Sequence, residues 1–134
     1  MRPRGTAAAV RRSLDVYHRH ASREAMDALY TRFVQPGDLV FDVGAHVGDR
    51  ISSFRRLGAR VVALEPQPGP ARALRLIHGR DPDVVLLAEA AGDHPGMLTL
   101  HVNSANPTVS TASPDFVAAA DGAGGWEGQV WDMT

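Results

Sequence analysis

The ten residues Leu39 to Gly48, LVFDVGAHVG, constrain this chain more than any other stretch. A short apolar run stopped by Asp42 and opening at once onto Gly44 and Gly48 reads as a buried strand, a tight loop and the start of a helix. Helical spacing follows in Val47, Ile51, Phe54 and Leu57, and Gly58 is a natural stop. Arg60 to Leu64 is a second apolar run, closed by Glu65 and Pro66. Two strands joined through a helix make a right-handed crossover unit, with the strands parallel.

The unit repeats. Pro68 to Gly79 reads as a helix with Pro70 in its first turn, Ala73, Leu74 and Ile77 facing inward and Gly79 as its cap. Asp81-Pro82-Asp83 is a turn, and Val84 to Ala88 a third strand. This alternation predicts an α/β fold: a doubly wound, Rossmann-like parallel sheet with helices on both faces. Upstream, Val10, Leu14 and Tyr17 predict a surface helix over 7–20, with His18 and His20 in solvent. Ser22 is the expected cap of a second helix, whose Met26, Leu29, Tyr30 and Phe33 form an apolar stripe for the core. Pro36-Gly37-Asp38 then turns the chain, dividing N-terminal helices (1–35) from the cofactor-type domain (36–134). Downstream, Met97 to Val102 is expected to pair antiparallel with the strand before it, and 103–114 to be a polar loop. Ala118 to Gly128 is small and glycine-rich, and Trp126 and Trp131 have no further element to bury them.

At 134 residues, 44% hydrophobic and 22% charged, the chain suits one folded domain. Its net charge of −1 gives no global field for nucleic acid; Arg2, Arg4, Arg11 and Arg12 form a local, solvated basic arm. The absence of cysteine removes disulfides, thiolate nucleophiles and cysteine zinc sites, and makes a reducing cytoplasm the simplest location. No metal site is expected. No apolar run approaches the roughly 20 residues of a membrane helix, and the N-terminus lacks the apolar core of a secretory signal.

In a parallel sheet, ligands meet the loops that follow the strands. Glycines at 44 and 48 remove side chains where a cofactor could lie on the backbone, and Asp42 stands at the lip. Glu65, at the end of the neighbouring strand, is placed to accept the hydroxyl hydrogens of a ribose. A nucleoside cofactor is implied. Dinucleotide sites favour G-x-G-x-x-G, whereas the spacing here is Asp-x-Gly-x-x-x-Gly with His46 inside it. An acidic lip also suits a cationic cofactor better than a pyrophosphate. An oxidoreductase domain of the NAD type remains the alternative, and a non-catalytic remnant a third reading.

The spacing resembles the first motif of S-adenosylmethionine-dependent methyltransferases. With its flanks, PGDLVFDVGAHVGD followed by VVALEPQPGPARAL, the segment from about Pro36 to Val109 resembles the FkbM family, which generally methylates hydroxyl oxygens of small metabolites or sugars. The resemblance implies S-adenosylmethionine as cofactor, a small hydroxyl acceptor, and a cofactor loop of Asp42, Gly44, Ala45, His46 and Gly48. It implies Glu65 at the ribose and residues around Glu89 to Ala91 near the adenine. Family members continue into a Leu-Asp strand and a Lys-Ile-Asp-Val-Glu-Gly-like strand that this chain lacks. The sheet is therefore expected to be incomplete on its C-terminal side, with an open edge on the first strand. A homo-oligomer or a complementing chain could fill that edge. The catalytic residue is unassigned: His46, His94 and His101 are the candidate bases, and Ser104 to Ser113 is a polar loop or lid without the partners of a hydrolase triad.

Overall fold

The computed structural model describes residues 4–122 and 131–133. Helices α1 (Arg4–Tyr17) and α2 (His20–Tyr30) lead into strand β1 (Leu39–Val43). Then come α3 (Asp49–Arg56), β2 (Arg60–Leu64), α4 (Pro68–His78) and β3 (Val84–Leu87). Two short strands, β4 (His101–Asn103) and β5 (Trp131–Met133), flank a 3-10 turn (Pro107–Val109) and helix α5 (Pro114–Gly122). The protein is α/β, and its main sheet is parallel in the order β1-β2-β3.

The crossover rule explains where the core lies. Two successive right-handed crossovers in one direction put α3 and α4 on the same face of the sheet. That face carries Val61 and Ala63, each 1% exposed, flanked by Val40, Val84 and Leu86. Ala45, Ile51, Phe54, Ala59 and Leu74 complete the cluster, with Tyr30 of α2 tilted against the Phe54 ring. Asp27 fastens α2 to α3 by accepting from the Arg56 guanidinium at 2.7 and 2.8 Å and from the Ser53 hydroxyl. Arg55 reaches Asp81 at 2.7 Å and Asp83 at 3.1 Å, tying the end of α3 to the turn before β3.

The opposite face differs from the expectation of helices on both sides. In register, Phe41, Val62 and Val85 form one row and Val43, Leu64 and Leu87 the next. Phe41 is 62% exposed, and Leu39, Val43, Val85 and Leu87 are exposed with it. Strand β1 pairs with β2 alone among the described residues, so the expected open edge is present.

Several local expectations are corrected. Ser22 lies inside α2, whose cap is Arg19 without a side-chain hydrogen bond. Because α2 ends at Tyr30, Phe33 falls in the following turn, out of helical phase and 73% exposed; Leu29 is exposed too, and Val34 packs on the core instead. Ile77 points outward on α4, where Ala71 and His78 are buried with Ala73 and Leu74. Residues 97–100 are not a strand, and β4 pairs antiparallel with β5, with a bridge from His101 to Thr111, not with β3. Helix α5 runs through 114–122, overlapping the start of the stretch 118–128 that was read only as small and glycine-rich. Trp126 lies outside the described residues; Trp131 is in β5. Among the described residues no helix is long and apolar enough to cross a membrane.

Candidate functional site

The loop from Gly44 to Gly48 leaves the carboxyl end of β1 and is shaped by three residues with positive φ: Gly44 at 77°, His46 at 51° and Gly48 at 79°. Left-handed backbone is natural for glycine and strained for histidine. Two restraints hold His46 there. Its amide donates to Glu65 Oε2 at 2.9 Å, and its ring meets Tyr17 of α1 edge-on, with centroids 5.6 Å apart.

The two glycines do different work. A Cβ on Gly44 would meet nothing within 4 Å, so this position opens onto free space. A Cβ on Gly48 would stand 2.7 Å from Leu74 Cδ2 and 3.0 Å from His78 Nε2. Gly48 therefore serves the packing of α4 against the start of α3. Ala45 is buried in the core cluster, beneath the loop surface.

The loop's amide hydrogens turn inward. Gly44 and Ala45 both donate to the Leu64 carbonyl, at 2.9 and 3.0 Å, and Gly48 donates to Ala45 at 2.9 Å. With His46 bound to Glu65, four of the five amides from 44 to 48 are satisfied within the chain. A phosphate cradle needs such amides free and convergent.

Glu65 is 3% exposed and accepts from both sides: His46 N–H at Oε2 and Gln67 N–H at Oε1, 2.8 Å away. These two bonds leave lone pairs on each oxygen. Burial pushes its carboxyl above the ordinary range, against the pull of those donors. Asp42, 5% exposed, accepts at Oδ1 from Arg50 Nε at 3.2 Å, and Arg50 also reaches the Gly44 carbonyl at 3.3 Å. Its Oδ2 is buried with no hydrogen-bond partner among the described residues, and burial raises this carboxyl as well. Burial lowers the His46 pKa, favouring neutral imidazole, and its Nε2 likewise has no partner among the described residues.

Side chains from outside the motif complete the surroundings. His18 Nε2 bonds the Val47 carbonyl at 2.9 Å, so it is a loop contact and not the solvent-exposed residue expected. Gln67 donates to the Pro107 carbonyl at 3.0 Å and accepts from Ser110 at 2.9 Å. Asn103, fully buried, takes the amides of Ala105 and Asn106. The stretch expected as a polar loop or lid is thus pinned beside Glu65. Arg12 of the supposedly solvated arm bonds the Ala105 carbonyl at 3.0 Å. Between α1 and residues 105–108 runs a cleft of about 490 Å³, walled by Arg12, Ser13, Tyr17, Asn106 and Thr108 among others.

Of the expected residues, Asp42, Gly44, Ala45, His46, Gly48 and Glu65 gather at one end of β1 and β2. His94 is exposed beside Asp93, and His101 sits in β4, so neither is in the loop. Glu89 to Ala91 are exposed and outside any helix or strand. Arg50 and Gln67 were missed, although each lies within two residues of a motif residue. No group of three His, Asp or Glu able to hold a metal occurs among the described residues. A scan against protein-family models finds no match for this chain, and a search of curated proteins finds none.

Proposed function

We propose that the chain carries the cofactor-binding part of a Rossmann-like, S-adenosylmethionine-dependent methyltransferase of FkbM type, acting on a hydroxyl oxygen of a small metabolite or sugar. The observation that carries this reading is the loop's hydrogen bonding: amides committed inward, with a buried carboxylate oxygen of Asp42 left over. That chemistry suits a cationic ligand and disfavours a pyrophosphate, which is the distinction between adenosylmethionine and NAD. The open space at Gly44 supplies room beside it.

When bound, the cofactor supplies an electrophilic methyl group on a sulfonium. The residues of this chain bind and orient. Asp42 Oδ2 would accept from the ammonium of the amino-acid tail, and the spare lone pairs of Glu65 would accept from ribose hydroxyls. Neutral His46 is the group best suited by charge state to receive a hydroxyl proton. The cleft beside Tyr17, with Arg12, Ser13, Asn106 and Thr108 set among Ala9, Val16 and Pro107, would take the acceptor.

Calorimetric titration with S-adenosylhomocysteine tests the reading. Binding is expected, and Asp42→Asn should weaken it about tenfold or more, the worth of a hydrogen bond to a charged group. Absence of binding by a chain that melts cooperatively, or binding of NAD in its place, would overturn it.

A further inference from the structure

The cleft between α1 and residues 105–108 is uneven in its hydrogen bonding. On the wall formed by 105–108 the acceptors are already taken. The Ala105 carbonyl receives Arg12 Nη2, the Asn106 carbonyl the Val109 amide, and the Pro107 carbonyl the Ser110 amide and Gln67 Nε2. Asn106 Oδ1 accepts from the Thr108 hydroxyl at 2.6 Å.

The donors are left over. Arg12 commits one N–H to Ala105 and keeps the rest of its guanidinium donors. The side-chain NH₂ of Asn106 and the hydroxyls of Ser13 and Tyr17 have no hydrogen-bond partner among the described residues, although Ser13 is only 9% exposed. Arg12 is the one charged residue lining the cleft among the described residues, and it makes no ion pair with any of them. Asp15, three residues along α1, neither lines the cleft nor pairs with Arg12.

We propose that the cleft binds a small hydroxyl compound carrying an anionic group, a carboxylate or a phosphate, received by Arg12 and the Asn106 NH₂. A volume of about 490 Å³ is in the range of small-molecule sites. A guanidinium with spare N–H groups is matched to an oxyanion, whereas a cationic ligand would meet Arg12 with no carboxylate to offset it. Tyr17 joins the cleft to the loop, because it lines the cleft and its ring meets His46 edge-on. That this ligand is the methyl acceptor rests on the methyltransferase reading; that it is anionic does not.

Nuclear magnetic resonance of the nitrogen-labelled full chain, read at Arg12 Nε–H and the Asn106 side-chain amide, tests this. The probes are D-glucuronate with D-glucose as its neutral counterpart, and glycerol phosphate with glycerol. At least one charged compound is expected to shift both signals saturably and to bind about tenfold or more tightly than its neutral counterpart; the tighter of the two charged compounds identifies the anion. Arg12→Gln, with a cooperative melt as its folding control, should weaken that binding about tenfold, and Arg12→Lys should restore part of it. Binding by neither charged compound, equal binding by a neutral counterpart, or unchanged binding in Arg12→Gln would overturn the proposal. Titration with S-adenosylhomocysteine in parallel separates the two readings. If it binds and the charged compounds do not, the anion site alone falls; if they bind and it does not, the methyltransferase reading alone falls.

Discussion

The two faces of the parallel sheet are made from alternate residues of the same three strands, yet one is packed and the other is bare. Val61 and Val62 are neighbours in sequence; the first is buried under α3 and α4, and the second belongs to the uncovered rows. Composition does not separate them, since both faces are aliphatic. What separates them is connectivity: both crossovers run the same way, so both helices fall on one side. An apolar residue in this sheet acquires its energetic value from the element that returns over it.

The largest effect expected from this contrast is in paired truncations. Ile51→Ala, on the buried side of α3, should cost about 2–5 kcal/mol in urea unfolding, whereas Phe41→Ala, already exposed, should stay within about 0.5 kcal/mol. Equal losses would erase the distinction between the faces. Next come the glycines. Gly48→Ala puts a Cβ against Leu74 and His78 in left-handed backbone and is expected to cost about 2–4 kcal/mol. Gly44→Ala meets only the backbone penalty, about 1–2 kcal/mol, and should weaken S-adenosylhomocysteine binding more than it lowers stability.

Glu65→Gln comes third. It leaves one of two loop amides facing an NH₂ group, an expected cost of about 1–3 kcal/mol, with faster hydrogen exchange at His46 as its signature. The smallest effect is electrostatic. The hydrogen bond from Arg56 holds the Asp27 carboxyl below its ordinary value. Stability from this pair is present above the unfolded carboxylate range and lost as pH falls through the lowered value. Asp27→Asn should remove less than about 1 kcal/mol at neutral pH, because the pair is partly exposed. Asp42 and Glu65 run the other way: burial raises them, so their contribution is full at low pH and is lost as pH rises through the raised values. Unfolding midpoints from neutral pH down to about pH 3 check both signs.

The crossover core was legible because its signals are local. Arg60–Leu64 forms the strand expected over those residues, and α4 begins at Pro68 with Gly79 as its cap. The nearness of Asp42 and Glu65 was legible for the same reason, since adjacent parallel strand ends bring them together whatever surrounds them. Burial was less legible. Leu29, Phe33 and Ile77 fit an apolar period but lie exposed, because a period identifies a face and not what covers it. The helix at 114–122 has too even a spread of alanine to show a period. The pairing of β4 with β5 spans a long separation that strand propensity does not encode. Gly48 shows the same limit within the motif: its spacing marked a close approach, and only tertiary structure revealed that α4 makes it.

Glu65 binds the loop of one strand from the end of another, and this has a consequence for how the chain can vary. A substitution there is screened twice, once for the His46 amide at the loop and once for the Gln67 amide at the head of α4. Position 65 cannot change freely without a simultaneous change that takes over the His46 and Gln67 amides. Any replacement of Glu65 must therefore be matched at residues 46 and 67, or begin from a chain with stability to spare.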